Sequence, residues 1–91
     1  MRIALIAKDK PGALDIRKAN RDAHVAYLKS SGDVIDMAGP FLDDAGNMCG
    51  SLIILNVSTI AEAEEWAAND PYKAADLFES VELTAWNKVL G

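Results

Sequence analysis

Asn69-Asp70-Pro71-Tyr72 is the stretch on which the reading of this chain turns. The proline ring has no N–H and disfavours the helical conformation in the residue before it, so a helix arriving from the N-terminal side must stop near Asn69. The arriving segment, Thr59 to Ala68, is helical in pattern: Ile60, Ala63, Trp66 and Ala67 form an apolar stripe, while Glu62, Glu64 and Glu65 face water. Ser58-Thr59 with Glu62 three residues after Thr59 has the spacing of a capping box. Asp70 is thus delivered to a helix end with its carboxylate free, and the group it is expected to meet is His24, the only histidine. A short turn, Lys73 to Phe78, follows.

Beyond that turn, Val81 to Leu90 alternates like a strand, with Val81, Leu83 and Ala85 on one face and Glu82, Thr84, Trp86 and Lys88 on the other. Upstream of Thr59, Ser51 to Val57 is rich in β-branched residues and reads as a strand. It pairs in a hairpin with Val34 to Phe41, closed by Gly39-Pro40, across the polar turn Asp43 to Asn47. At the other end, the apolar run Ile3 to Ala7 is a central strand that stops at Lys8-Asp9-Lys10-Pro11-Gly12. Asp15 to Ser30 is a helix. Its expected buried stripe is Ile16, Ala19, Ala23, Ala26 and Tyr27, with Arg17, Arg21, His24 and Leu28 on the stripe beside it. Gly32 supplies a left-handed stop.

The order is strand, helix, strand, strand, helix, strand. Two β-α-β halves of this length make a ferredoxin-like βαββαβ sandwich of the α+β class: an antiparallel sheet with both helices on one face, in one domain spanning 1–91. A chain of this size has a thin core, and the second face of its sheet needs a cover. A second copy of the sheet is the simplest one, so a homodimer is expected, with Trp86 projecting toward the open face or its rim.

Composition narrows the function. A hydrophobic fraction of 51% with 25% charged residues is that of a soluble globular protein. The net charge of -5, with no basic stripe, argues against a nucleic-acid partner. Cys49 is the only cysteine, which favours a reducing compartment. Ile3 to Ala7 is too short for a signal core, and no segment has membrane length, so a cytoplasmic location is expected. One His and one Cys far apart make no metal site, and the chain offers no nucleotide or cofactor motif.

Arg21-x-x-His24, Ala38-Gly39-Pro40, Gly50-Ser51 and Asp70-Pro71-Tyr72, in that order and with Lys10-Pro11-Gly12 ahead of the first helix, resemble the YciI-like (YCII-related) family of small bacterial proteins. The resemblance spans nearly the whole chain. It implies a ferredoxin-like fold of the dimeric α+β barrel type, and an active site built from a His and an Asp, here His24 and Asp70. It also implies kinship with dehydrochlorinase-type enzymes acting on chlorinated hydroxyquinols, with muconolactone isomerases among the fold relatives. Asp36 departs from the pattern, standing where the family usually has an apolar strand residue, so no family role maps onto it.

The chemistry follows from residue types. His24 can exchange a proton near neutrality, and a carboxylate on its other nitrogen fixes the tautomer. Arg21, one helical turn before it, can hold an anionic or phenolate oxygen of a substrate, or can equally be tied up by Asp22, Asp36 or another acid. Ser51 has no nucleophile signature and reads as a hydrogen-bond donor in a pocket. Gly39-Pro40 is expected to shape a turn at the pocket mouth. Tyr72 is expected to contact substrate; with Phe78 and Trp86 it can wall an apolar pocket, although such aromatics more often serve the core or a dimer interface. Cys49 is expected to be a buried, inert thiol. The resulting expectation is a small enzyme, independent of cofactor and metal, that eliminates or isomerises a small aromatic or lactone-like acid or phenol. His24 moves the proton and Asp70 orients it. The alternatives are a non-catalytic metabolite-binding or accessory module using the same cleft, and a structural dimer whose motifs only preserve turn geometry.

Overall fold

Ile3, Leu5 and Ala7 alternate with Ala4, Ile6 and Lys8, and the first set is almost wholly buried. That alternation decides which side of the sheet carries the helices. The computed structural model describes residues 1–91. It runs β1 (Arg2–Asp9), α1 (Leu14–Ser30), a 3-10 turn at Gly32–Val34, β2 (Ile35–Leu42), β3 (Met48–Asn56), α2 (Ile60–Ala68), α3 (Pro71–Ala74) and β4 (Phe78–Trp86). All neighbouring strands are antiparallel, in the order β2-β3-β1-β4. This is the ferredoxin-like α+β arrangement.

Ile3, Leu5 and Ala7 lie opposite Leu55, Ile53 and Ser51 of β3, and together with Ala63 and Trp66 of α2 these aliphatics build the main core. Tyr27 and Leu28 of α1 pack against the same cluster. Trp66 is pinned at both ends of its reach: its indole N–H donates to Ser31 Oγ at 2.8 Å, and its carbonyl accepts from the Tyr27 hydroxyl at 2.8 Å. The two helices are thereby fastened to each other as well as to the sheet. Thr59 caps α2, its Oγ1 accepting from the Glu62 amide, and the Glu62 carboxylate reaches one residue further back than a capping box does, accepting from the Ser58 amide. At the hairpin, Asp43 Oδ1 accepts from the amides of Ala45 and Asn47.

The structure departs from the sequence-based expectations in several places. On α1, Ile16, Ala19, Ala23 and Ala26 face solvent, and the buried face is the neighbouring one with Arg17, His24 and Leu28. Arg17 and His24 tolerate burial because each has a carboxylate partner, so polarity does not dictate which side faces out. On α2, Ile60 is exposed. Gly39-Pro40 is no turn. It lies inside β2, opposite Leu52 and Ser51, and a proline is acceptable there because β2 is an edge strand. The last strand begins at Phe78, paired with Asp9, and its ladder ends at the Arg2–Trp86 pair, so Asn87 to Leu90 have no strand beside them. Cys49 is exposed, because the register shift between Phe41 and Leu42 makes it the extra residue of an irregular pairing.

The face away from the helices carries Ile6, Met37, Phe41, Leu52 and Trp86 by the cross-strand register. Met37, Phe41 and Trp86 each keep more than a third of their surface in water. Asp36, the acid at an otherwise apolar strand position, pairs with Arg2 at 2.7 Å. No helix is long and apolar enough to cross a membrane.

Candidate active site

α2 ends at Ala68, and Asn69 closes it. Pro71 then opens α3 as its first residue, which suits a ring with fixed φ and no N–H to satisfy. Asp70 is the N-cap of α3: its Oδ1 accepts the Tyr72 amide at 3.0 Å. The same oxygen accepts from His24 Nδ1 at 2.8 Å. Both residues are buried, the histidine 6% and the aspartate 2% exposed. With Nδ1 committed to the carboxylate, Nε2 is the ring nitrogen left for other chemistry.

Tyr72, the residue Asp70 caps, stacks on the His24 ring with centroids 4.0 Å apart and planes tilted by 14°. The Arg17 guanidinium also lies over the Tyr72 ring, 4.6 Å from its centroid. Phe78 meets the ring edge-on. Burial pushes the Tyr72 hydroxyl above the ordinary tyrosine range, against the opposing pull of Arg17 and Arg21.

Arg17 and Asp9 were not among the candidate residues read from sequence. Arg17 Nε and Nη2 donate to the two oxygens of Asp9 at 2.7 and 2.8 Å, a bidentate pair. Nη2 also donates to Ser51 Oγ at 2.9 Å. Burial alone would pull the Arg17 pKa down; the Asp9 carboxylate outweighs it and holds the guanidinium above its usual value. The available signal was the spacing of Arg17, Arg21 and His24 along one helix face. The partner, Asp9, is on another element, and local periodicity does not reveal it.

His24, Arg21, Ser51, Gly39, Pro40 and Tyr72 line one cavity of about 140 Å³ between α1 and the β2–β3 ladder. Asp70 stands behind the imidazole and does not line it. Ile53 and Leu28 contribute apolar wall. Arg21 makes no ion pair, since the chain's side-chain ion pairs are Arg2–Asp36, Lys10–Asp76, Arg17–Asp9 and His24–Asp70. Phe78 and Trp86 lie elsewhere: Phe78 lines a separate apolar groove beside β4, and Trp86 points to the open face of the sheet. No cluster of three or more His, Cys, Asp or Glu side chains forms a metal-binding arrangement. The arrangement is suited to proton exchange at Nε2 beside a cationic wall.

The YCII-related domain family matches residues 1–87. The chain is 33% identical to the protein YciI of Escherichia coli, with 98% of this chain and 99% of that one covered. It is 32% identical to an uncharacterized protein of Haemophilus influenzae, with the same coverage of each. Among solved structures it is similar to 5-chloro-2-hydroxyhydroquinone dehydrochlorinase (TftG) from Burkholderia phenoliruptrix in complex with 2,5-dihydroxybenzoquinone. The TM-score is 0.88 and the identity 33%, over 96% of this chain and 94% of that one. A protein of Agrobacterium tumefaciens, 22% identical with a TM-score of 0.51 over 92% of this chain and 89% of its own, shares the fold. The match over residues 1–87 and these full-length relatives establish that the chain belongs to the YCII-related family.

Proposed function

We propose that this protein is a cofactor-independent enzyme that eliminates or isomerises a small aromatic or lactone-like acid or phenol by proton transfer. His24 is the general acid/base: Nε2 takes a proton from the substrate, and the imidazolium that forms is stabilised by Asp70. In an elimination the leaving group departs as an anion and the substrate loses one proton with it; in an isomerisation the same proton returns at another atom. Asp70 orients the ring, Arg21 and Ser51 contact substrate oxygens, and Gly39, Pro40 and Tyr72 shape the walls. The working unit is a cytoplasmic homodimer of one-domain chains, each 1–91, paired through the open sheet face that carries Met37, Phe41 and Trp86.

One observation carries this reading: a buried imidazole, hydrogen-bonded to a carboxylate on one side, forms part of the wall of a ring-sized cavity on the other. The similarity to a dehydrochlorinase that binds a benzoquinone supports the choice of elimination on a ring substrate. The test is chloride release from 5-chloro-2-hydroxyhydroquinone and related chlorinated hydroxyquinols. Wild type should release chloride, and His24→Ala should lose about 10²–10⁴-fold in rate while keeping its circular dichroism. Equal release by the two proteins, or none by wild type across the series, would end the elimination reading.

A further inference from the structure

We infer that Ser51, held in place by the buried Asp9–Arg17 pair, is the donor that fixes an anionic oxygen of a single-ring ligand in the His24 cavity. The inference rests on reading that cavity as the substrate site; it narrows the ligand to one anionic ring and adds two positioning residues, Asp9 and Arg17.

Ser51 is 2% exposed, yet it lines the cavity. Its Oγ accepts a hydrogen bond from Arg17 Nη2 at 2.9 Å and donates to no protein atom. A hydroxyl has one proton to give, so while Oγ accepts from Arg17 the Ser51 O–H can turn toward the cavity and donate to an oxygen of a ligand there. The guanidinium donating into Oγ polarises the O–H bond and strengthens it as a donor to negative charge. Arg17 also lines the cavity, but its charge is already paired: Nε and Nη2 donate to Asp9, and the guanidinium sits over the Tyr72 ring. It is a positioning residue that acts through Ser51, and Asp9 is the residue that keeps it there.

The charge on the wall agrees. Arg21 lines the cavity without an ion-pair partner, and no carboxylate lines it. The volume of about 140 Å³ limits the ligand. An apolar cavity of about 150 Å³ holds benzene, so the space inside these walls suits one six-membered ring. The ligand class is therefore a single-ring phenolate or carboxylate, with its oxygen between Ser51 and Arg21.

The test uses 4-nitrophenolate, whose visible band moves to shorter wavelength when donors hold its oxygen, with the neutral methyl ether 4-nitroanisole as control. Wild type should bind the phenolate with that shift, and 4-nitroanisole should not compete. Ser51→Ala should weaken binding about tenfold or more and reduce the shift to the part that Arg21 sustains. Asp9→Asn should reduce the shift although Ser51 is untouched; if that variant unfolds, Arg17→Lys serves instead, since it keeps a charge but loses the fork. Benzoate displacing the phenolate would extend the class to carboxylates. An unchanged shift and affinity in Ser51→Ala overturns the Ser51 assignment. A wild type that ignores the phenolate, or binds the ether equally well, overturns the ligand class. Full phenolate binding without any chloride release would sink the elimination reading alone, so the two failures are distinguishable.

Discussion

His24 Nδ1 and Asp70 Oδ1 stand 2.8 Å apart, although 46 positions separate them along the chain. The aspartate oxygen is held by the helix it caps, and the imidazole is held by the aspartate. Position and charge can therefore be separated by mutation. Asp70→Asn keeps an oxygen for the Tyr72 amide and the His24 N–H but removes the charge that stabilises an imidazolium. Chloride release from a competent substrate should fall by about 10²–10⁴, in line with the loss of orienting carboxylates in catalytic triads. Its urea midpoint should move little. Asp70→Ala also loses the cap and leaves His24 unpaired, and should cost about 1–3 kcal/mol in the same titration.

The Asp9–Arg17 pair should matter more to stability than any surface pair. Both side chains are nearly inaccessible, at 5% and 2% exposure. Removing one partner strands a buried charge, so Asp9→Ala should destabilise by about 3–5 kcal/mol. The double change Asp9→Ala with Arg17→Met leaves no charge behind and should recover much of that loss. Lys10–Asp76 is the contrast. Lys10 lowers the Asp76 pKa, but Asp76 is open to water, and Asp76→Asn, which keeps a residue suited to the positive φ there and removes the charge, should leave the urea midpoint where it is.

The His24–Asp70 pair is legible in the sequence and the Asp9–Arg17 pair is not. The proline stop, the Thr59 cap and the strand-helix order are local, and local patterns predicted them along with the ferredoxin-like fold. Periodicity points to the wrong face of α1, because it ranks Ala19, Ala23 and Ala26 above Arg17 and His24 for burial. Only tertiary pairing with Asp9 and Asp70 reverses that ranking. Gly39-Pro40 looked like a turn because both residues are common in turns; their place in β2 depends on that strand being at the sheet edge, which is a property of the assembled sheet. The exposure of Cys49 has a similar origin, since a pairing irregularity in the hairpin leaves no mark in composition.

The open sheet face gives a prediction about assembly. Met37, Phe41 and Trp86 present apolar surface from β2 and β4, so both edges of the open face carry an exposed apolar side chain, with the Arg2–Asp36 pair among them. Light scattering on a sizing column should give a mass of twice the 9.8 kDa chain. Phe41→Asp or Trp86→Asp places a charge in the proposed interface and should return the mass to that of one chain. Each variant should keep a native far-ultraviolet spectrum, because neither side chain belongs to the core between sheet and helices. A wild type that scatters as a single chain would remove the dimer.

Two tyrosines should set the alkaline limit of stability. Burial raises the pKa of Tyr72 despite Arg17 and Arg21; burial, with Asp70 and Glu65, raises that of Tyr27. The ordinary value for each is 10.0. Below that value both folded and unfolded states carry the proton, and the full stability is present. Above it the unfolded chain releases its protons first, so the folded state is the more protonated one and stability falls as pH rises through the folded-state values. Each such group contributes a slope of at most about 1.4 kcal/mol per pH unit. Urea titrations across this range should show the decline in wild type and a shallower one in Tyr72→Phe, with lysine titration common to both and cancelling in the difference. Tyr27→Phe should show a shallower decline too, displaced downward at every pH by about 0.5–1.5 kcal/mol for the lost hydrogen bond to the Trp66 carbonyl. Parallel curves for wild type and Tyr72→Phe would mean that the Tyr72 hydroxyl ionises as easily in the folded chain as in the unfolded one.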